Sequence, residues 1–165
     1  MGDSLGSRVH VVRAASDEDT VLRLRRALWL SIALSVFGEL IILIVWGVIL
    51  YPSGELATKF LWTVVFCGLG MGSVFGALLV LFVVDRLHGR AAVAASASLS
   101  ALVLGVGCNV LCFQLDAHYF HSFGGAESPA LFIGNGVVVS VLGGALVGWL
   151  VFSDRGASLL ARYGL

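Results

Sequence analysis

Charge is nearly missing from four stretches of this sequence, residues 28–50, 61–84, 91–115 and 130–152, where Glu39 is the single charged side chain. Charged residues make up 12% of the chain and apolar ones 59%, whereas soluble domains carry about 25% and 45–50%. Each stretch is about 23–25 residues long, enough to cross roughly 30 Å of hydrocarbon at 1.5 Å per residue. Four helices this apolar leave too little polar chain to cover them, which excludes a soluble core. Proline is scarce too. Pro52 and Pro129 both lie outside the stretch interiors, so the proline-interrupted helices of many carriers are missing. Net charge is zero, which removes any electrostatic case for nucleic acid as a partner.

Other absences narrow the chemistry. No histidine lies inside a stretch, which argues against haem held between helices. No Ser, His and Asp share a depth, and no complete catalytic motif is present, so no catalytic residue is assigned and an enzyme is not expected. Gly68, Gly70 and Gly72 resemble a phosphate loop only in text, since they sit inside an apolar run. The cysteines number three, Cys67, Cys108 and Cys112, all in the stretches. An odd count in lipid points to free core thiols rather than a disulfide framework. The start of the chain lacks the features of a secretory signal, and Gly6 stands where a myristoylation signal needs Ser or Thr.

What is present predicts an all-α integral membrane protein, four antiparallel transmembrane helices in a bundle. Residues 1–15 read as an N-terminal cytoplasmic arm, with some strand character at 8–12. Ser16, followed by Asp17, Glu18 and Asp19, resembles a helix cap with acids complementing the dipole. Asp19 can pair with Arg23 one turn later. Residues 16–27 therefore extend the first helix on the cytoplasmic side, residues 28–152 form the membrane domain and 153–165 a cytoplasmic tail. Orientation follows the basic residues. Nine arginines fall in the segments before span one, between spans two and three, and after span four, while Lys59 alone lies on the other side. Both termini are expected in the cytoplasm, and a cytoplasmic or inner membrane is the expected location. Trp29, Phe82, Trp149 and Phe152 would form the inner aromatic belt, and Trp46, Tyr51, Trp62, Phe113, Tyr119 and Phe132 the outer one.

Lipid gives helices little hydrophobic reason to associate, so small residues that let backbones approach must supply it. Gly68, Gly72 and Gly76 recur every four residues on span two, as do Gly136, Ser140, Gly144 and Gly148 on span four. Ala97, Ala101 and Gly105 form a third ribbon. These ribbons either seal one bundle or leave a face to dock other membrane subunits.

Glu39 stands about 11 residues, roughly 16 Å, past the start of span one, near the bilayer midplane. An ionisable group there marks a functional site unless it serves as a structural hydrogen-bond donor. Ala27, Ser31, Ser35 and Glu39 form one small, polar stripe, and threading brings Ser73 and Ser140 to similar depth. That set, Glu39, Ser35, Ser73 and Ser140, is the candidate ion or proton site. A weaker candidate lies at the outer face, where Asp116, His118 and His121 supply ligand types for zinc or copper, with Glu55 or Glu127 to complete it. Cys67, Cys108, Asn109 and Asn135 could form a small polar cluster nearby. Three functions compete: a non-catalytic accessory subunit of a larger membrane complex, a small proton- or cation-coupled transporter or ion-conducting oligomer using Glu39, and a metal-handling or redox protein. The expected partners are the bilayer, bound lipid and other membrane subunits.

Overall fold

The computed structural model describes residues 3–50, 56–115 and 129–165. Every element among them is helical, and the chain forms four rods and a terminal cross-piece. Rod one is α1 (Asp3–Ile42) continued by a π-helical stretch, Leu43–Leu50. Rod two joins α2 (Leu56–Phe60), a π-helical stretch Leu61–Met71 and α3 (Gly72–Phe82). Rod three joins α4 (Gly89–Ser100), the π-helical Ala101–Cys108 and α5 (Asn109–Leu115). Rod four is α6 (Pro129–Phe152), and α7 (Asp154–Arg162) follows it.

Glu18–Val45, Leu61–Phe82 and Gly89–Leu111 are each long and apolar enough to cross a membrane, and Gly136–Phe152 with α7 makes a fourth, bent candidate. The burial pattern fits lipid. Phe37 is 67% exposed and Leu142 is likewise 67%, while Ser31 and Ser96 are fully buried. Water would favour the reverse, large apolar side chains in and hydroxyls out.

Two expectations about the first helix need correction. It begins at Asp3, not near Asp17. Residues 3–15 hold no proline and only the isolated Gly6, so nothing ends the helix before Ser16. The separate arm at 1–15, with its strand character, is replaced by helix from Asp3 onward, and Ser16–Asp19 lies inside it. Asp19 and Arg23 are exposed and make no ion pair with one another, as water screening allows for so weak a contact.

The glycines of the two ribbons face inward. A Cβ on Gly68 would stand 3.0 Å from Val36 Cα, one on Gly72 2.7 Å from Ser35 Cβ, and one on Gly76 3.2 Å from Leu28 Cα. The ribbon of rod two is thus spent against rod one, with numbering rising on one rod as it falls on the other. On rod four, a Cβ on Gly136 would strike Asn109, one on Gly144 Ser96 and Ser100, and one on Gly148 Val93 and Ser96. Ser140 sits beside Gly105 on the same seam. Rods one and two therefore close on each other through one ribbon, and rods three and four through the second.

The turn between rods two and three is tight. Leu87 N–H donates to Val83 O at 3.0 Å, and Asp85 takes a left-handed φ of 66°, which Asp tolerates better than most residues. Around this end the core is apolar and dry. Ala27, Leu79, Val83, Ala92 and Val151 pack there, all nearly inaccessible.

The segment 153–165 was expected to be a plain tail, yet it contains α7, bent 80° from α6. Ser153 is extended and its hydroxyl accepts from Gly156 N–H at 3.0 Å, an N-cap. Asp154 in the first turn and Arg162 in the last complement the dipole. Gly156 crosses so close to Trp149 and Leu150 that no Cβ would fit, and Leu160 is buried one turn later. The helix therefore lies flat across the basic end of the bundle, one face on the rods.

Candidate intramembrane polar site

A helix that exposes its backbone to lipid cannot expose its polar side chains there, so the hydroxyls of these rods turn inward. Ala27, Ser31, Ser35 and Glu39 are all buried, as the four-residue stripe on rod one implied. A second stripe answers it from rod three. Ala92, Ser96, Ser100 and Cys108 are buried at multiples of four residues. Rods one and three meet across the diagonal, with Cys108 Sγ 3.9 Å from Glu39 Oε1.

A cavity of about 250 Å³ opens between rods one, three and four. Glu39, Ser35, Ser100 and Ser140 line it, together with apolar side chains such as Leu104 and Leu146. At ~30 Å³ per water, it has room for several waters or a small hydrated ion.

The serines divide into two groups. Ser96 donates back to Ala92 O at 2.8 Å, and Ser73 donates to Leu69 O at 2.7 Å. Such back-bonding satisfies the hydroxyl on its own helix. Ser31, Ser35 and Ser100 do not do this. Their oxygens are buried and have no hydrogen-bond partner, at a cost of about 1–3 kcal/mol each unless something else meets them. Ser35 and Ser100 both border the cavity beside Glu39.

Of the four residues expected at the site, the structure brings together Glu39, Ser35 and Ser140. Ser73 is absent from the cavity lining and spends its hydroxyl on its own helix, so it is corrected out of the set. Three residues were missed. Ser100 and Cys108 belong to a four-residue stripe that runs through the sequence beside the alanine ribbon. Lys59 was assigned to the outer loop as a lone cation. In the structure it lies in α2 and is 1% exposed. Lys59, Thr63 and Cys67 are buried at four-residue intervals, an inward stripe on rod two. Cys67 ends it against Cys108, packed with Trp62 and Met71. Neither cysteine is in a disulfide.

The contact of Gly68 with Val36 sets Glu39 level with about Val65, so Lys59 stands roughly 9 Å further along the axis. A buried acid and a buried base thus share the interior of one half of the bundle. Charges this buried are almost never tolerated without compensation. All three π-helical stretches fall in that half, two of them level with Ser35 and Glu39. Wide helical turns recur at functional sites, where they re-aim side chains. Of the expected cluster of Cys67, Cys108, Asn109 and Asn135, the two cysteines pack together. Asn109 turns back and donates to Leu104 O and Gly105 O, both at 2.9 Å, and the side chain of Asn135 lies outside the described residues. So do Asp116, His118, His121, Glu55 and Glu127 and the side chain of Cys112. Among the described residues no three His, Cys, Asp or Glu side chains are grouped to hold a metal.

Comparison of the chain with protein-family models, with curated proteins and with solved structures finds no match.

Proposed function

We propose that this chain is a multi-pass protein of a cytoplasmic or inner membrane that binds a proton or small cation at Glu39, as a coupled transporter or an ion-conducting oligomer. The four rods would be antiparallel spans, with both termini and all nine arginines on the cytoplasmic side. One observation carries the reading: Ser35 and Ser100 keep buried, unbonded hydroxyl oxygens on the same cavity as the Glu39 carboxyl. Three oxygen donors around a small void are a ligand set for a hydrated cation or a short water chain. Glu39 supplies the charge, the serines and the void supply coordination, and the Lys59 ammonium sets the field along the axis. The test is flux in liposomes. Glu39→Gln keeps shape and hydrogen bonding but cannot carry the charge, so gradient-driven uptake should fall by about ten-fold or more. Uptake equal to that of the native chain removes the proposal.

A second reading, a non-catalytic accessory subunit of a larger membrane complex, is favoured by the length of α1. About 25 residues of helix precede residue 28, and helices in proteins owe most of their stability to packing of a face rather than to propensity, so this length suits a partner. Native mass spectrometry after gentle extraction decides between a fixed assembly with unrelated chains and a self-contained protein. The two small-residue ribbons add nothing to this reading, since each is used within the chain.

A further inference from the structure

We infer that the basic end of the bundle holds an anionic phospholipid, its phosphate between Arg23 and Arg90 and an acyl chain along rod one beneath Arg26. The inference needs the chain to span a bilayer, but not Glu39 to bind anything.

Two hollows meet at this end. The first, about 410 Å³, opens between rods one, three and four and the start of α7. Arg23 and Arg26 border it from rod one, and Arg90 with His88 from the turn into rod three. Asp154 is the one acid on its rim, and its floor is apolar, formed in part by Leu87 and Val151. Neither Arg23 nor Arg90 is joined to a carboxylate among the described residues. Three arginines and one carboxylate, Asp154, border this hollow, which leaves it net basic, and a phosphate placed between Arg23 and Arg90 would accept charge-assisted hydrogen bonds from both. Free arginines at a helix end also reach water, so charge alone would not choose a lipid.

The second hollow makes the choice. It is about 470 Å³ and runs along rod one beneath the end of α7. Trp29, Leu30, Ala33 and Leu160 line it, with Arg25 and Arg26 at its mouth. Arg26 belongs to both hollows and is steadied there, since its guanidinium donates twice to the main-chain oxygen of Leu165, through Nε at 3.0 Å and through Nη2. A basic chamber joined through one fixed arginine to an apolar groove at the interface has the polarity profile of a phospholipid: anionic head, then hydrocarbon. A free phosphate would fill the chamber and leave the groove without a ligand. Basic pockets between membrane helices recognise such headgroups, and α7 would act as the cover between the two hollows.

The experiment uses the full chain in nanodiscs, with native mass spectrometry counting retained lipid. The probes are phosphatidylglycerol and phosphatidylcholine of identical acyl chains. The native chain should retain phosphatidylglycerol preferentially, and Arg23→Gln with Arg90→Gln should reduce that preference by roughly 20-fold, about five-fold for each arginine near an anionic headgroup. Arg155→Gln with Arg162→Gln removes the same charge from α7 outside both hollows and should keep the preference. Ala33→Trp blocks the groove without altering charge and should also abolish retention. Equal loss in the two arginine pairs would reduce the effect to surface charge and overturn the inference. Displacement of the lipid by millimolar inorganic phosphate, or full retention in Ala33→Trp, would overturn it as well. Each variant is first checked for unchanged helicity and a single elution peak, and Arg23→Gln and Arg90→Gln are both at exposed positions.

Discussion

The two ends of this bundle are built from the same helices on opposite principles. The basic end, around Leu79, Val83, Ala92 and Val151, is packed with apolar side chains and has no buried charge among the described residues. The other half keeps Glu39, Lys59, Thr63, Cys108 and Asn109 inside and contains every π-helical stretch. Since both halves would face the same lipid outward, the difference has to do with the interior. The dry half holds the rods together, with Ser31 as its one orphaned hydroxyl among the described residues. The polar half lies on that platform and adds the orphaned hydroxyls of Ser35 and Ser100 beside the buried Glu39.

Mutations can break this division in order of expected size. Gly148→Leu should be the most damaging, because a Cβ there would already stand 2.9 Å from Val93 Cα. Backbone cannot yield as a side chain can, and a loss of about 3 kcal/mol is expected, read by unfolding in bicelles with increasing SDS. Leu79→Ala comes next. It opens a cavity in the dry half and should cost about 2 kcal/mol, with flux per folded molecule unchanged. If flux fell while stability held, the dry half would not be merely structural. Glu39→Gln should invert that pattern, abolishing flux with a stability change below about 1 kcal/mol. The smallest effect on folding belongs to Ser100→Ala. Removing a buried hydroxyl with no partner should leave stability equal or higher by up to about 1 kcal/mol, while cation affinity falls. A clear destabilisation by Ser100→Ala would mean that its oxygen is satisfied in the folded protein, and the ligand argument would lose its main support.

Much of the fold was legible because lipid imposes a simple grammar. Four runs with Glu39 as their single charge predicted four long helices; three of the described helices are long and apolar enough to cross a membrane, and the fourth candidate is joined to a bent piece. The polar stripe Ser31, Ser35 and Glu39 was legible for the same reason: four-residue spacing puts those side chains on one face. Lys59 was misread because sequence distance from a span says nothing about a side chain's direction. It is placed inward by α2, five residues long and continuous with the stretch after it. Ser73 was misread because depth was matched without rotation, and the residue points where it can reach only its own helix. The cross-piece α7 was not expected because a nine-residue helix depends on packing that local sequence does not show, although Ser153 and Asp154 form a recognisable cap and Gly156 and Leu160 share a face.

The wide turns have a consequence for phase. Along the stretch Leu61–Met71 the buried positions are Thr63, Val64, Cys67 and Gly68, and in α3 they continue as Gly72, Phe75, Gly76 and Leu79. The wide turns and the ordinary ones thus keep one face of the rod inward. Deleting one residue from the wide stretch would leave composition and length almost untouched, yet it would rotate every position beyond it by about 100° relative to the lower half. Lys59 would swing toward lipid and Thr63 would leave the interior. In such a protein a single-residue deletion is a rotation rather than a shortening, and the spacing of small residues on the neighbouring rod reports which phase the chain was built to keep.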